Sequence, residues 1–526
     1  MNPEQILEHE FGVITELIRQ HARNQPAHPA LVEGSQVVDY AGLDAMMDRV
    51  AVALQRDGFK PGDSIAICAS MSIAYAAVFL GALRAGVVVA PLAPGSIPAS
   101  LARMIQDAQA RALFVDAAAA DALGPEHTGG IPRIMLDNSR AGRALDEWLP
   151  AAGAQPADVT VDPSWAFNII YSSGTTGEPK GIVQPHSMRW SHVRRGKTYG
   201  YGSDTVTLLS TPLYSNTTLV VFFPTLTFGG TVVLMPKFNA QAYLQLAQDQ
   251  RITHTMLVPV QYQRLMARPD FDNYDLSSFR IKFSTSAPFS AALKADVLKR
   301  WPGGLVEFYG MTEGGGTCIL DAHLNPDKLH TVGRPAEGHD IRLIDDAGRE
   351  VPFGEAGEVV GHSPGMMSGY HRQPGKTREA EWFDPEGKRF IRTGDIGRFD
   401  SDGFLTLFDR KKDMIISGGF NIYPSDLEAI LREHPAVDDA AVVGVPSIEW
   451  GETPVAFVTC KEPTDTLDPD SGTSALAETL LQWVNQRVGR TQRLAAVRFL
   501  GELPRSPIGK VLKRQLRESY TNDRAL

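Results

Sequence analysis

The string Tyr171-Ser-Ser-Gly-Thr-Thr-Gly-Glu-Pro-Lys-Gly181 follows directly on the apolar run Ala166-Phe-Asn-Ile-Ile170. After a strand, Gly174 and Gly177 together with the hydroxyls of Ser172, Ser173, Thr175 and Thr176 make a flexible loop. Its backbone N–H and side-chain O–H groups can wrap phosphate oxygens, and Lys180 adds positive charge. The spacing Gly174-x-x-Gly177-x-x-Lys180-Gly181 is not GxxxxGK[ST], which argues against a P-loop kinase or GTPase. Taken by itself, the string also suits a Ser/Thr-rich hairpin loop.

A loop of this kind needs strands and helices to aim it. Short β-branched runs alternate with longer amphipathic segments, the pattern of strands joined by crossover helices, so an α/β fold is expected. Ser64–Cys68 precedes a helical 72–85, Ala112–Val115 follows a helical 99–109, and Thr231–Met235 precedes a helical 240–250. Connections of small or polar residues are expected at 118–130, 150–164 and 461–474. No period of 20–50 residues repeats, which removes solenoids and propellers. The apolar stretch Tyr75–Pro91 is interrupted by Arg84 and by glycines, so it reads as a buried helix and a strand rather than a membrane span. At 526 residues the chain exceeds what one core can serve, and a charged joint at Asp409-Arg-Lys-Lys-Asp413 lies between two strand-like runs. That joint also suits an exposed β-turn within one sheet.

The loop string resembles the phosphate-loop signature of the adenylate-forming superfamily: acyl-CoA synthetases, peptide-synthetase adenylation domains and beetle luciferases. Further motifs of that family follow in order. Tyr309-Gly-Met-Thr-Glu313 is similar to its YGxTE element, and Gly357-Glu-Val-Val-Gly361 with Gly369-Tyr370 to its GEhxxxG…GY segment. Arg392-Thr-Gly-Asp395 is similar to its TGD motif, with an isoleucine in place of the usual aromatic before the arginine. Asp409–Pro424 resembles the hinge and glycine turn, and Pro504-Arg-Ser-Pro-Ile-Gly-Lys510 the carboxy-terminal lysine motif.

The resemblance implies a large amino-terminal domain of stacked α/β sheets with a β-barrel-like subdomain (residues 1–409). A small α+β carboxy-terminal domain (residues 410–526) would follow on a hinge. It implies an acyl-CoA ligase that joins a carboxylic acid to AMP with loss of diphosphate and passes the acyl group to coenzyme A. Two anions must meet, so most of the catalytic work is positioning and electrostatic stabilisation. By similarity Lys510 serves the carboxylate and the α-phosphate, and the glycine before it leaves room for close approach. Glu313 is the ligand for Mg²⁺, Thr312 offers a hydroxyl to a phosphate oxygen, and Tyr309, with Gly310 and Met311, faces adenine. Asp395 suits the ribose hydroxyls with Arg410 beside it. Ser286 and Ala287 occupy the segment that contacts adenine and the acyl carboxyl, where the chain departs from the family's Gly-rich form. Lys412 falls at the hinge, and Gly418-Gly419 borders the thiol tunnel. Outside the motif context, Lys510 is a solvated surface charge, Tyr309 plain core, Asp395 a turn former and Gly418-Gly419 a hairpin turn.

The segment Pro212-Leu-Tyr-Ser-Asn-Thr-Thr-Leu-Val-Val-Phe222 holds no acidic residue, which argues against an α-amino acid substrate. Tyr214, Ser215 and Phe308 are expected to line an uncharged pocket. Many fatty-acid and hydroxycinnamate ligases have histidine at Ser215 and glycine at Phe308. Phe308 is expected to shorten the pocket, favouring a medium-chain or aromatic acid. The alternatives are an adenylation enzyme that loads a carrier protein or oxidises its adenylate, and a non-enzymatic nucleotide-binding module.

Composition agrees with a globular protein, at 43% hydrophobic and 21% charged residues. A net charge of −10 without a basic block argues against nucleic acid. Cys68, Cys318 and Cys460 fit neither a disulfide framework nor a zinc site and read as buried thiols of a reducing compartment. The expected partners are a small carboxylic acid, ATP, Mg²⁺ and coenzyme A. A cytoplasmic monomer or homodimer is expected, without integral membrane association.

Overall fold

A computed structural model describes residues 3–124, 127–172, 179–410, 413–417, 420–447, 451–461, 475–489, 492–506 and 509–523. Contacts gather the chain into two compact units, one of Met1–Ile341 with Gly361–Arg392, the other of Arg342–Val360 with Thr393–Leu526.

The first unit is built on two large sheets. Among the described residues one has nine strands, and six of these run parallel in the order Gly304–Gly310, Ile281–Ser284, His254–Leu257, Val206–Leu209, Thr231–Leu234 and Pro29–Glu33. The other has eight strands and centres on Ser64–Cys68, Val88–Leu92 and Ala166–Ser172. One apolar core joins residues of both sheets (Ile65, Ile67, Val89 and Phe167 with Leu209, Met256, Phe283 and Val306) to helices Ile73–Arg84 and Asn216–Thr227. Every residue of Ile73–Arg84 is buried, apart from a half-exposed Ala74, and that helix with strand Val88–Leu92 accounts for the apolar stretch seen in the sequence. Arg84 is tolerated there because its guanidinium is satisfied by Asp44 at 2.5 Å and Asp48 at 2.8 Å. No described helix is long and apolar enough to cross a membrane.

In place of the expected loop at 118–130, Ala117–Leu123 is a helix. Asp116 caps it by accepting from Ala119 N at 2.8 Å, and Ala119, Ala120 and Leu123 are buried. An alanine run has the best intrinsic helix propensity, and the cap outweighs the small-residue composition. The expected barrel-like subdomain is likewise corrected. Strands Asp340–Ile344, Gly357–His362, Arg389–Phe399 and Glu381–Phe383 pair in that order, with Leu405–Arg410 branching from Arg389–Phe399, as an open sheet. Closure would require the edge strands to pair with one another, and strands as short as Glu381–Phe383 offer too little ladder for the tilt and stagger of a barrel.

In the second unit, strands Ile415–Ser417, Phe420–Ile422, Val437–Ser447, Gly451–Cys460 and Ala496–Phe499 form a mixed sheet. One face packs Leu427, Leu431, Leu480 and Val484, and the other packs Leu503, Leu516 and Tyr520.

Candidate active site

The phosphate-loop candidate lies in sequence between two strands that pair with each other. Strand Ala166–Ser172 pairs antiparallel with Lys180–Pro185, with Tyr171 opposite Gly181 and Ser172 opposite Lys180. Ser173, Gly174, Thr175, Thr176 and Gly177 lie outside the described residues, as do Lys412, Gly418 and Gly419. At the hairpin's base, Lys180 Nζ sits 5.1 Å from the centre of the Tyr370 ring, within cation–π range. Tyr370 in turn donates its hydroxyl proton to Glu313 Oε1 at 2.8 Å. Tyr370 is held there because Gly369–Tyr370 adds a short strand to the hairpin, with Tyr370 opposite Ile182. Lys180 and Glu313 are thus brought together through one phenol.

Thr312 is fixed from the other side. Gln184, fully buried on the same hairpin strand, donates from Nε2 to Thr312 O at 2.7 Å and to Asn216 Oδ1 at 3.3 Å. Glu313 O accepts from Met367 N at 2.8 Å. Gly314, which follows, adopts φ +78, a left-handed conformation that favours glycine, and a side chain there would overlap the carbonyl of Gly365. Tyr309 is half-buried at the end of strand Gly304–Gly310, opposite Cys318, and leads into this turn through Gly310 and Met311.

The segment after strand Ile281–Ser284 reaches both strand Gly304–Gly310 and helix Asn216–Thr227. Thr285 Oγ1 donates to Phe308 O at 2.8 Å, and the Ser286 hydroxyl bonds Thr217 Oγ1 at 2.6 Å. Ser286 holds φ +80, so a serine occupies glycine geometry, at a cost of roughly 1–2 kcal/mol. Ala287 beside it is half-buried. Ser215 stands at the N-cap of helix Asn216–Thr227 without a capping side-chain bond. Tyr214 is half-buried, and burial followed by the nearby Cys68 raises its phenol above the ordinary range. Phe308 stacks on Phe283 at 5.5 Å and takes the Tyr199 ring edge-on at 5.8 Å.

In the second unit, Asp395 and Arg410 are direct cross-strand partners between Arg389–Phe399 and Leu405–Arg410. Asp395 N donates to Thr393 Oγ1 at 3.0 Å after Gly394 at φ +72. Lys510 closes a tight loop in which Ser506 N donates to Lys510 O at 2.8 Å and Lys510 N donates to Ser506 Oγ at 3.2 Å. Gly509 turns the chain at φ +79, and Arg505, ion-paired with Asp439, donates to Gly509 O at 2.7 Å.

Two family models cover most of the chain: the AMP-binding enzyme model over residues 18–371, and the AMP-binding enzyme C-terminal domain over 426–510. This chain belongs to the AMP-binding enzyme family. It is 33% identical over 509 residues to a feruloyl-CoA synthase of Amycolatopsis sp, covering 95% of this chain and 98% of the relative. It is 32% identical over 526 residues to an indoleacetate–CoA ligase of Aromatoleum aromaticum, covering 96% and 98%. Its structure is similar to that of the amide bond synthetase McbA from Marinactinospora thermotolerans, with a TM-score of 0.83 and 30% identity over 96% of this chain and 99% of the other. The AMP-binding enzyme is an AMP-forming acid–thiol ligase.

The electrostatics around Glu313 keep its hydroxyl partner protonated. Burial, and then the Glu313 carboxylate, push the Tyr370 phenol well above its usual range, so it stays a proton donor to Glu313. Tyr370 leaves Glu313 Oε2 without a contact from that hydroxyl, and the described residues hold no cluster of three His, Cys, Asp or Glu side chains that could hold a metal. One carboxylate beside a phosphate loop fits Mg²⁺, which is bound through one or two carboxylates with substrate phosphates rather than in an all-protein cage. Sequence reasoning missed Gln184 and assigned no chemistry to Tyr370. The available signals were a glutamine interrupting an apolar strand four residues after Lys180, and the Gly-Tyr pair already matched to a family motif.

Proposed function

We propose that this AMP-binding enzyme activates an aromatic or medium-chain carboxylic acid as its acyl-adenylate and transfers the acyl group to coenzyme A. The carrying observation is the Lys180–Tyr370–Glu313 arrangement at the base of the phosphate hairpin, backed by Gln184 on Thr312. In the first half-reaction a carboxylate oxygen of the acid attacks the α-phosphorus of ATP, and diphosphate leaves with the electron pair of the broken P–O bond. In the second, the coenzyme A thiolate attacks the acyl carbonyl and AMP departs.

Each residue then has a task. The 172–180 loop and Lys180 hold the phosphates, Thr312 donates a hydroxyl to them, and Tyr309 with Gly310, Met311, Ser286 and Ala287 receives the adenine. Asp395 accepts from the ribose hydroxyls, with Arg410 beside it. Lys510 supplies the cation that offsets the repulsion between carboxylate and α-phosphate. Glu313 is the residue that would hold Mg²⁺, whose charge neutralises the triphosphate. Lys412 serves as hinge and Gly418-Gly419 as the border of the thiol path.

Tyr214, Ser215 and Phe308 line the acyl pocket. The aromatic stack of Phe308 on Phe283 supports a short pocket, and the two CoA-ligase relatives carry the names of aromatic acids. The similarity to an amide bond synthetase favours one rival, in which an amine takes the adenylate. The test is ATP–diphosphate exchange over hexanoate, benzoate, cinnamate and palmitate, followed by addition of coenzyme A or an amine. Thioester formation with a short or aromatic acid supports the reading. A clear palmitate preference, or amide without thioester, overturns it.

A further inference from the structure

Helix His186–Arg195 buries Arg189 and half-buries Arg195 without giving either a counter-ion, while Arg194 is exposed. Arg189 is 1% exposed. It donates to Asn168 Oδ1 at 3.3 Å and to Gln184 Oε1, and its Nη1 has no hydrogen-bond partner. One turn later the Nδ1 of His192 is also buried and unpartnered. At the helix end, the Arg195 guanidinium lies 6.0 Å from the Phe308 ring centre and its Nη2 is 3.4 Å from His339 Nε2.

That last contact joins two donors. Thr317 N donates to His339 Nδ1 at 2.9 Å, so Nδ1 carries the lone pair and the proton of the neutral ring sits on Nε2, facing a guanidinium that can only donate. Burial first, and Arg195 second, hold His339 down to about 4, so the ring is neutral at pH 7. His192 is pushed far below its usual value by burial and then by Arg189, Arg195 and His339. Among the described residues neither arginine makes an ion pair. Asp321, whose charge acts on the Tyr199 hydroxyl, makes none with Arg195. Cations left uncompensated in a low-dielectric setting are costly, and functional sites are where such arrangements concentrate.

We propose that Arg195 and His339 form a receptor for a second acidic group, so that the acid activated by this enzyme carries a distal carboxylate on an apolar body. This rests on the reading above that Phe308 lines the acyl pocket. The apolar body packs on the half-buried Phe308 and Tyr199, which the buried Phe283 backs, and the far carboxylate accepts from Arg195 Nη2 and His339 Nε2–H. The reacting carboxylate stays near Thr312. Only that carboxylate is adenylated, and the distal one is unchanged by the reaction.

The test uses the full-length enzyme and matched acids, hexanoate against adipate and cinnamate against 4-carboxycinnamate, in diphosphate exchange and thioester assays. The wild type is expected to favour the diacid of at least one pair by about tenfold or more in kcat/KM. Arg195→Met is expected to collapse that ratio to about one or below, mainly through KM for the diacid, and Arg195→Lys to retain part of it. His339→Asn leaves the arginine in place and is expected to lower the ratio about threefold, which keeps the test open if Arg195→Met does not fold. A wild-type ratio of one or less in both pairs overturns the proposal, as does a diacid preference that Arg195→Met leaves intact. Adenylation without thioester removes the coenzyme A reading instead, because the diacid ratio is still read in diphosphate exchange.

Discussion

Tyr370 donates its hydroxyl to Glu313 Oε1 at 2.8 Å while the face of its ring takes Lys180 Nζ at 5.1 Å, so one phenol sets the spacing between a cation and a carboxylate. Removing the hydroxyl frees Glu313 to rotate and leaves the ring in place. Tyr370→Phe is therefore expected to lower kcat/KM in diphosphate exchange about tenfold or more, that is by about 1.4 kcal/mol at least, against about 1.5–3 kcal/mol for a hydrogen bond to a charged group. Unchanged exchange kinetics across a magnesium titration would remove the assigned role.

Lys510 rides on a loop that only glycine closes comfortably, because Gly509 adopts φ +79. Lys510→Ala is expected to abolish diphosphate release while ATP binding, read by calorimetry, survives. Gly509→Ala keeps the lysine but strains its loop by roughly 1–2 kcal/mol. It is expected to cost adenylation about tenfold or more with little change in melting temperature.

Phe308 occupies its site between Phe283 and Tyr199. Phe308→Ala opens that volume, and each methylene newly buried contributes about 0.8 kcal/mol. The palmitate-to-hexanoate ratio of kcat/KM is expected to rise about tenfold or more. A ratio that stays put would show that another wall ends the pocket.

Stability should fall on the acid side for a defined reason. Burial holds His186 and His254 each to about 4, against 6.5 for an ordinary histidine. The unfolded chain thus takes up protons that the folded chain refuses. Their contribution is complete above pH 6.5 and is lost as pH falls from 6.5 toward 4. For fully buried His254, whose Nε2 meets Tyr199 O at 3.0 Å, the loss is at most about 3 kcal/mol. Chemical denaturation of the wild type and His254→Asn at about pH 5 and about pH 7.5 checks this. The wild type should lose more stability between the two pH values than the variant does.

Local patterning made much of the fold legible. The apolar run 166–170 became strand Ala166–Ser172, and 72–85 became helix Ile73–Arg84, because alternation and helical spacing are properties of neighbouring residues. Loop composition misled at 118–130, where the cap from Asp116 and the burial of Leu123 favour a helix. The barrel-like subdomain was misjudged because sheet closure depends on how distant edges meet.

By itself the sequence determined the order of the motifs and the residue types they offer: Lys180, Thr312, Glu313, Asp395 and Lys510 are chemically able wherever they lie. Only the tertiary structure decided that Gln184 holds the Thr312 carbonyl, that Tyr370 joins Lys180 to Glu313, and that Arg195 faces a donor rather than an acceptor. These pairings link residues up to 190 positions apart (370 − 180). A hydrogen bond or ring contact acts over a few ångströms of space, and one sequence carries no direct record of which distant residues share it.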